Sequence, residues 1–482
     1  MTVNRTIVGF LGKLIILVGL SMCVPLGMSI YDHEHLQKVY LIAIAITLLS
    51  GASCVLVGYR HRSLMRIRDG FLLVTLAWLC ASFFGSLPMQ MSGYFPSYTD
   101  AFFETLSGFT ATGITVLPEV ESLPRSILLW RSMTQWLGGL GIVVLFVAML
   151  SNVGAGTNLL LNAEVTGPVK EKLSPRSTDT AKILWVIYVI LTVLNAVCLL
   201  ACGMDGFDAV NHALSTVSTG GYSTRNAGLL AFHESVQWVT LIFMFLASCS
   251  FALYYRFFRR RDIKILLNNG EWRFYVEMVI FFTAIMCFVL YREDLYSLAD
   301  AFRVSLFNVI TLFSSTAFMI VDYDTWPPFL HILIFMIMFM GGCAGSTAGG
   351  VKIERVMILL RQTKNELRNI LHPRMITSLK INGSVVPSRV IVNVAIYVFL
   401  FIVIICVSTL FGTALGLPIL EAWTTSMSCV CNSGPSLGAY GPTECFATLP
   451  GIIKWYYCIL MLIGRLELYS ILALFVPNNV KH

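Results

Sequence analysis

Apolar runs of about 20 residues recur from one end of the chain to the other, each long enough to cross a bilayer as a helix. Ten spans follow from this pattern, over 7–30, 39–58, 70–91, 127–150, 183–203, 236–255, 274–291, 329–351, 390–416 and 452–476. Four further apolar stretches, near 100–112, 208–220, 300–316 and 421–433, are too short to cross and predict re-entrant elements. The run from Ile7 to Ile30 is too long for a signal-peptide core and is expected to remain as the first helix. The expected fold is an all-α polytopic membrane protein embedded in a lipid bilayer.

Composition sharpens this. Of 482 residues, 57% are hydrophobic and 12% charged. That excludes a soluble globular enzyme, a disordered scaffold and a secreted disulfide module. The 13 cysteines are odd in number and scattered singly through apolar runs, without disulfide or zinc spacing. The net charge of +7 points to topology rather than to nucleic acid, because most of the 33 Lys and Arg fall in segments 1–13, 59–69, 151–182, 256–273, 352–389 and 481–482. These alternate with the spans so as to share one side, which the positive-inside rule makes cytoplasmic together with both termini. The opposite face is acidic, with Glu104, Glu119, Glu121, Asp205, Asp322 and Asp324 expected in an outer mouth that concentrates cations.

The four short apolar stretches resemble one another. Asp100-Ala101-Phe102 is followed thirteen residues after the acid by Gly113, Asp208-Ala209-Val210 by Gly221, and Glu421-Ala422-Trp423 by Gly434. The remaining copy starts at Asp300-Ala301-Phe302 and reaches Ala317 at seventeen, a difference of about one helical turn. One Thr-Gly pair has little specificity; four copies between spans on one topological side have much more. An acid suits the first turn of a short helix. The helix C-terminus then aims its free carbonyls toward the bilayer centre, and a glycine beyond it admits positive φ. Four such loops around an axis would replace a cation's hydration shell with carbonyl oxygens.

With these residues in hand the chain resembles the membrane subunits of Trk-type potassium uptake systems, the TrkH/TrkG family, related to Ktr and plant HKT transporters. The specific segments are Asp100 to Val116, Gly138-Gly139-Leu140-Gly141, Gly167-Pro168-Val169-Lys170, Gly341 to Gly350, His372-Pro373-Arg374 and Gly464-Arg465-Leu466-Glu467. The resemblance implies a homodimer whose protomers each carry four pseudo-symmetric repeats around a central pore. It also implies an added N-terminal helix pair and a cytosolic, TrkA-like nucleotide-binding regulatory subunit. The corresponding division is 1–60 for the helix pair, then 61–160, 161–262, 263–372 and 373–482 for the repeats.

Carried over by resemblance, the potassium-coordinating carbonyls belong to Ala111 and Thr112, Thr219 and Gly220, Ser315 and Thr316, and Asn432 and Ser433. The turn positions that follow are Gly113, Gly221, Ala317 and Gly434. Ala317 departs from the family's glycine; a left-handed non-Gly residue costs roughly 1–2 kcal/mol, so either the loop is reshaped or its carbonyl points elsewhere. Weakened potassium-over-sodium selectivity is the expected consequence.

The stretch from Gly341 to Gly350 has five glycines in the interior of a predicted span and should break it, since each costs about 1 kcal/mol against alanine. A packing surface of small residues is the alternative. The resemblance favours an intramembrane loop that gates the pore, with Gly345, Ser346, Thr347, Ala348 and Gly349 at its centre. Arg465, an ionisable residue inside the last span, invites a functional reading. The family places it in the pore below the filter, where it would set a barrier or hold the loop through backbone carbonyls; pairing with a carboxylate is the alternative. Gly345 to Lys352 misses the P-loop pattern because Val351 intervenes and no Ser or Thr follows Lys352.

No cofactor and no energy-coupling motif is expected, so potassium would be the transported ion, moving down its electrochemical gradient or by symport across the inner membrane. The competing readings are an ion-coupled solute symporter, which calls for paired inverted repeats, and a weakly selective potassium/sodium channel. No metal-binding or catalytic cluster of His, Asp or Glu appears within the spans, and His212 in the second short helix is expected to pack.

Overall fold

The computed structural model describes residues 5–58, 67–139, 141, 177–374 and 377–468. Helix α1 (Arg5–Ser21) runs into α2 (Cys23–Tyr31), and α3 (Gln37–Gly58) returns against α1. Their backbones touch where Gly12 meets Gly51 and Gly9 meets Gly58, positions at which any Cβ would press on the facing main chain. Then come α4 (Ile67–Gly85), α5 (Leu87–Met91), the short α6 (Tyr98–Phe109) and α7 (Arg125–Gly139). The order long helix, short helix, loop, helix recurs. It is seen in α8 (Ser177–Ala201), α9 (Gly206–Val217) and α10 (Glu234–Ala247), which is followed by α11 (Phe251–Arg260) and α12 (Lys264–Leu267). It is seen again in α13 (Gly270–Arg292), α14 (Leu298–Phe313) and α15 (Pro328–Met340), followed by α16 (Ile353–Leu371). The last set is α17 (Ser388–Ala414), α18 (Ile419–Cys431) and α19 (Gly451–Arg465).

Among the described residues, six helical runs are long and apolar enough to cross a membrane: Arg5–Tyr31, Gln37–Gly58, Arg68–Met91, Asp179–Ala201, Gly270–Arg292 and Ser388–Ala414. They coincide with six of the ten expected spans. Two of the other four are broken within the described residues. Helices α10 and α15 have 14 and 13 residues, or about 20 Å at 1.5 Å per residue, short of a 30 Å hydrocarbon core. The span expected over 236–255 bends by 91° between α10 and α11. That over 329–351 stops at Met340, where the Gly-rich stretch begins. Hydropathy reads through such breaks because the intervening residues are small and uncharged.

The expected Gly167–Lys170 motif, much of the span over 127–150 and the end of that over 452–476 lie outside the described residues. Between α16 and α17 a two-stranded hairpin, β1 (Lys380–Ile381) and β2 (Ser384–Val385), turns on Asn382 and Gly383, both at positive φ. Asn-Gly is the preferred sequence for that turn. Ile381 packs there with Met357, Ile358, Leu379, Val386 and Val394 in a small cluster of their own.

Candidate functional site

The four short helices α6, α9, α14 and α18 carry Asp100, Asp208, Asp300 and Glu421 in their first turns. Ser97 and Ser297 accept from the backbone N–H of Asp100 and Asp300 and donate their hydroxyls to the same carboxylates at 2.7 Å. The Ser297 hydroxyl first, and Arg303 after it, holds the Asp300 carboxyl below the usual carboxylate range. Asp205 caps α9 through Phe207 N–H. The carboxylates here complement the helix dipole, while the Ser97 and Ser297 hydroxyls and the Asp205 carboxylate satisfy first N–H groups.

At the other end all four helices close in the same way. The N–H groups of Thr112, Gly220, Thr316 and Ser433 bond back to the carbonyls of Ser107, Ser215, Thr311 and Ser428 at 2.9, 2.9, 3.0 and 3.1 Å. The residue just before each donor is left-handed: φ is 53° at Ala111, 56° at Thr219, 53° at Ser315 and 49° at Asn432. This is a Schellman closure. Two residues on, φ is positive again, at 83° for Gly113, 81° for Gly221, 63° for Ala317 and 83° for Gly434. Alanine therefore keeps the left-handed turn of its three glycine counterparts. Left-handed conformations at alternate residues turn successive peptide carbonyls toward one side.

The four loops also meet. A Cβ at Gly113 would collide with the carbonyl of Gly220, one at Gly221 with that of Thr316, and one at Gly434 would stand 2.8 Å from that of Thr112. The Ala317 methyl lies 2.6, 3.2 and 3.9 Å from the Cβ positions of Gly434, Gly221 and Gly113. It thus projects to the junction of all four, against a cavity of about 230 Å³ that Tyr222, Arg225 and Glu444 help to line. Buried carbonyls are normally hydrogen-bonded. Among the described residues none is bonded at Ala111, Thr112, Thr219, Ser315, Thr316, Asn432 or Ser433, while the Gly220 oxygen accepts from Gln135 Nε2 at 2.7 Å. The eight expected positions are brought together, and one of their oxygens is already engaged by a side chain.

Several residues that hold the loops escaped the sequence reading. Glu104, expected in the outer mouth, is fully buried. Its carboxylate pairs with Arg131 at 2.7 Å, takes the Val116 N–H at 2.8 Å and the Thr115 hydroxyl at 3.0 Å. The Arg131 guanidinium lies 4.2 Å from the Tyr222 ring centroid, and the Tyr222 hydroxyl donates to the Glu104 carbonyl at 2.8 Å. An acid on a short apolar helix reads as an outer-loop charge unless its partner in the next helix is recognised. Gln135 takes the Ser215 hydroxyl and the Tyr222 N–H on its oxygen, tying α7 to the second loop. His212 is buried, with Nδ1 at 2.8 Å from the Asp208 carbonyl and Nε2 at 3.0 Å from the Ser223 hydroxyl. It packs, as expected, but it also anchors that loop. Asn432 bridges the first and last sets by donating to the Thr112 hydroxyl and the Met461 carbonyl. Lys454 bonds Asp100 at 2.7 Å.

The Gly-rich stretch is unwound from Gly341 to Lys352, with φ of 65° and 76° at its two ends. It is bonded to three of the four sets. Cys343 N–H donates to Ser248 at 2.8 Å, and the Thr347 hydroxyl to Val217 and Ala247 at 3.2 Å. Gly349 N–H donates to the Ser315 hydroxyl at 2.6 Å, and Gly350 N–H to the Cys431 carbonyl at 2.8 Å. Arg465 reaches the remaining set, donating to Gly138 at 2.6 Å and to Gly139, and holds the loop through the Thr347 carbonyl at 3.1 Å. Glu467 pairs instead with Arg355 at 2.7 Å. Lys352 Nζ donates to the Ala348 carbonyl. Among the described residues no group of three or more His, Cys, Asp or Glu could hold a metal ion.

Comparison with known proteins agrees with this architecture. The family model described as TrkH, cation transport protein, matches residues 36–481. The chain is 35% identical over 476 residues to the Trk system potassium uptake protein TrkH of Halomonas elongata, covering 98% of both. It is 33% identical over 479 residues to that of Escherichia coli K12, covering 98% of this chain and 99% of that one. The crystal structure of the potassium transporter TrkH from Vibrio parahaemolyticus superposes with a TM-score of 0.89 at 32% identity, covering 98% of each chain. The chain belongs to the TrkH family of cation transport proteins.

Proposed function

We propose that this membrane protein takes up potassium across the inner membrane through a filter made by the four converging loops. It is a transport protein and not an enzyme. The observation that carries the reading is the set of buried peptide carbonyls at 111–112, 219–220, 315–316 and 432–433 that almost entirely lack hydrogen-bond donors. A dehydrated cation satisfies such oxygens, and the four helix C-termini favour positive charge at that point. In this reading residues 61–160, 161–262, 263–372 and 373–482 are the four pore repeats around one axis, and 1–60 is the added helix pair. Both termini face the cytoplasm. The relatives are named as members of a Trk system, which supports a regulatory partner: a cytosolic, TrkA-like nucleotide-binding subunit acting on a homodimer.

The unwound loop from Gly341 to Lys352, with Gly345 to Gly349 at its centre, is the gate, and Arg465 is its latch. The bonds from Arg465, Gly349 and Thr347 to separate sets support this, since opening the path would require releasing them. A second feature bears on selectivity. The Ala317 methyl projects to the junction of the loops, which favours weaker discrimination between potassium and sodium than four glycines would give. Expression in a potassium-uptake-deficient bacterium, with growth at low external potassium under sodium competition, tests the function. Growth rescued by the wild type, and abolished by collapsing the filter with Gly221→Val, is expected. No rescue by the well-expressed protein together with its partner rejects the function.

A further inference from the structure

Helix α11 leaves the end of α10 at 91°, and α13, a full span, begins at Gly270 only a few residues after α12. Residues 251–267 therefore run from the bend, where Phe251 meets the middle of α8, to the start of α13, so that their outer end lies at the end of the spans on the side read above as cytoplasmic. The inner face of α11 is buried: Phe251 packs 6.3 Å from the Tyr188 ring centroid, and the Tyr254 hydroxyl donates to the Leu246 carbonyl. The outer end is neither buried nor purely polar. Phe258, Ile263 and Leu267 are exposed at 68%, 54% and 49%, interleaved with exposed Arg259, Arg260, Arg261 and Lys264. Asp262 is the one acid between 251 and 270. Among the described residues the guanidiniums of Arg260 and Arg261 make no hydrogen bond or ion pair, and that of Arg259 reaches only Tyr255, its hydroxyl at 3.5 Å.

Apolar side chains alternating with unengaged arginines at the end of the spans suit one environment, where the rings enter the acyl boundary and the guanidiniums meet phosphate. We infer that α11 and α12 form a binding surface for anionic phospholipid headgroups, coupled to the unwound loop. The coupling is short. Phe251 N–H donates to the Gly345 carbonyl at 3.2 Å, and Ser248, in the bend, accepts from Cys343 at 2.8 Å. A headgroup that pins α11 therefore pins the Gly341–Lys352 loop through two backbone bonds. The effect on flux rests on the gating reading above; lipid binding does not.

The test reconstitutes the full chain in phosphatidylcholine vesicles or in an equimolar mixture with phosphatidylglycerol. Spin-labelled phosphatidylglycerol and phosphatidylcholine report the lipid immobilised on the protein, and potassium flux is read in parallel. The variant Arg259→Gln/Arg260→Gln/Arg261→Gln is expected to lose the preference for phosphatidylglycerol, by about fivefold per arginine at low salt, and to lose the dependence of flux on that lipid. The matching triple change to lysine is expected to keep both, which separates charge from misfolding. An unchanged lipid preference in the glutamine variant overturns the proposal and leaves the basic face to a soluble protein partner. Lost preference with unchanged lipid dependence of flux overturns the coupling. Absence of any flux, with lipid preference lost as expected, counts against the conduction reading alone.

Discussion

At the scale of single residues, the loops are held by buried charge and buried amides rather than by apolar packing alone. Arg131 and Glu104 form a pair sealed from solvent, and removing one partner of such a pair costs about 3–5 kcal/mol because the other is left uncompensated. Arg131→Met is expected to destabilise the protein by that order in thermal unfolding in detergent. Glu104→Gln/Arg131→Met should recover part of the loss, since Gln keeps an acceptor for Val116 without the charge; a double variant no better than the single one contradicts a charge-based role. Ala317 is the second residue of interest. Its φ of 63° shows that alanine holds the left-handed turn, so its influence comes from the methyl at the loop junction. Ala317→Gly is expected to raise potassium-over-sodium selectivity, read as a shift in reversal potential, and an unchanged reversal potential contradicts this.

At the scale of elements, among the described residues α10 and α15, which follow the second and third loops, are too short to cross, whereas six other runs are long and apolar enough to do so. The six were legible in the sequence because uninterrupted apolar length is a sufficient signal. The Gly-rich interruption was legible too, since five glycines cannot sustain a helix. The bend at Ser248–Ser250 was not, because a serine such as Ser248, bonded to the Phe245 carbonyl, does not register in hydropathy. The closure of the short helices was legible as an interval between an acid and a glycine, but the left-handed residue before it, at Ala111, Thr219, Ser315 and Asn432, has no common side chain to betray it. Glu104, Arg131 and Gln135 escaped for a related reason: the Glu104–Arg131 pair spans 27 residues and the Gln135–Ser215 bond spans 80. Deleting Gly345 to Ala348 is expected to raise ion flux in vesicles, and unchanged or lower flux in a folded variant contradicts a gate. Arg465→Ala, which frees the Thr347 carbonyl and both carbonyls of α7's end, should likewise alter conductance; wild-type currents leave it a structural role.

At the scale of the whole molecule, four similar units share one centre, and the residues that join them are those that lie around it. Asn432 links the last set to the first, Gln135 the first to the second, and the unwound loop bonds to the second, the third and the fourth. The central claim is that peptide oxygens from all four loops surround a dehydrated potassium ion. Anomalous diffraction from crystals grown with thallium, a potassium mimic, tests it most directly. The account predicts density on the axis between the carbonyls of Ala111, Thr112, Thr219, Gly220, Ser315, Thr316, Asn432 and Ser433. Thallium bound elsewhere in the protein, with that position empty, would contradict it.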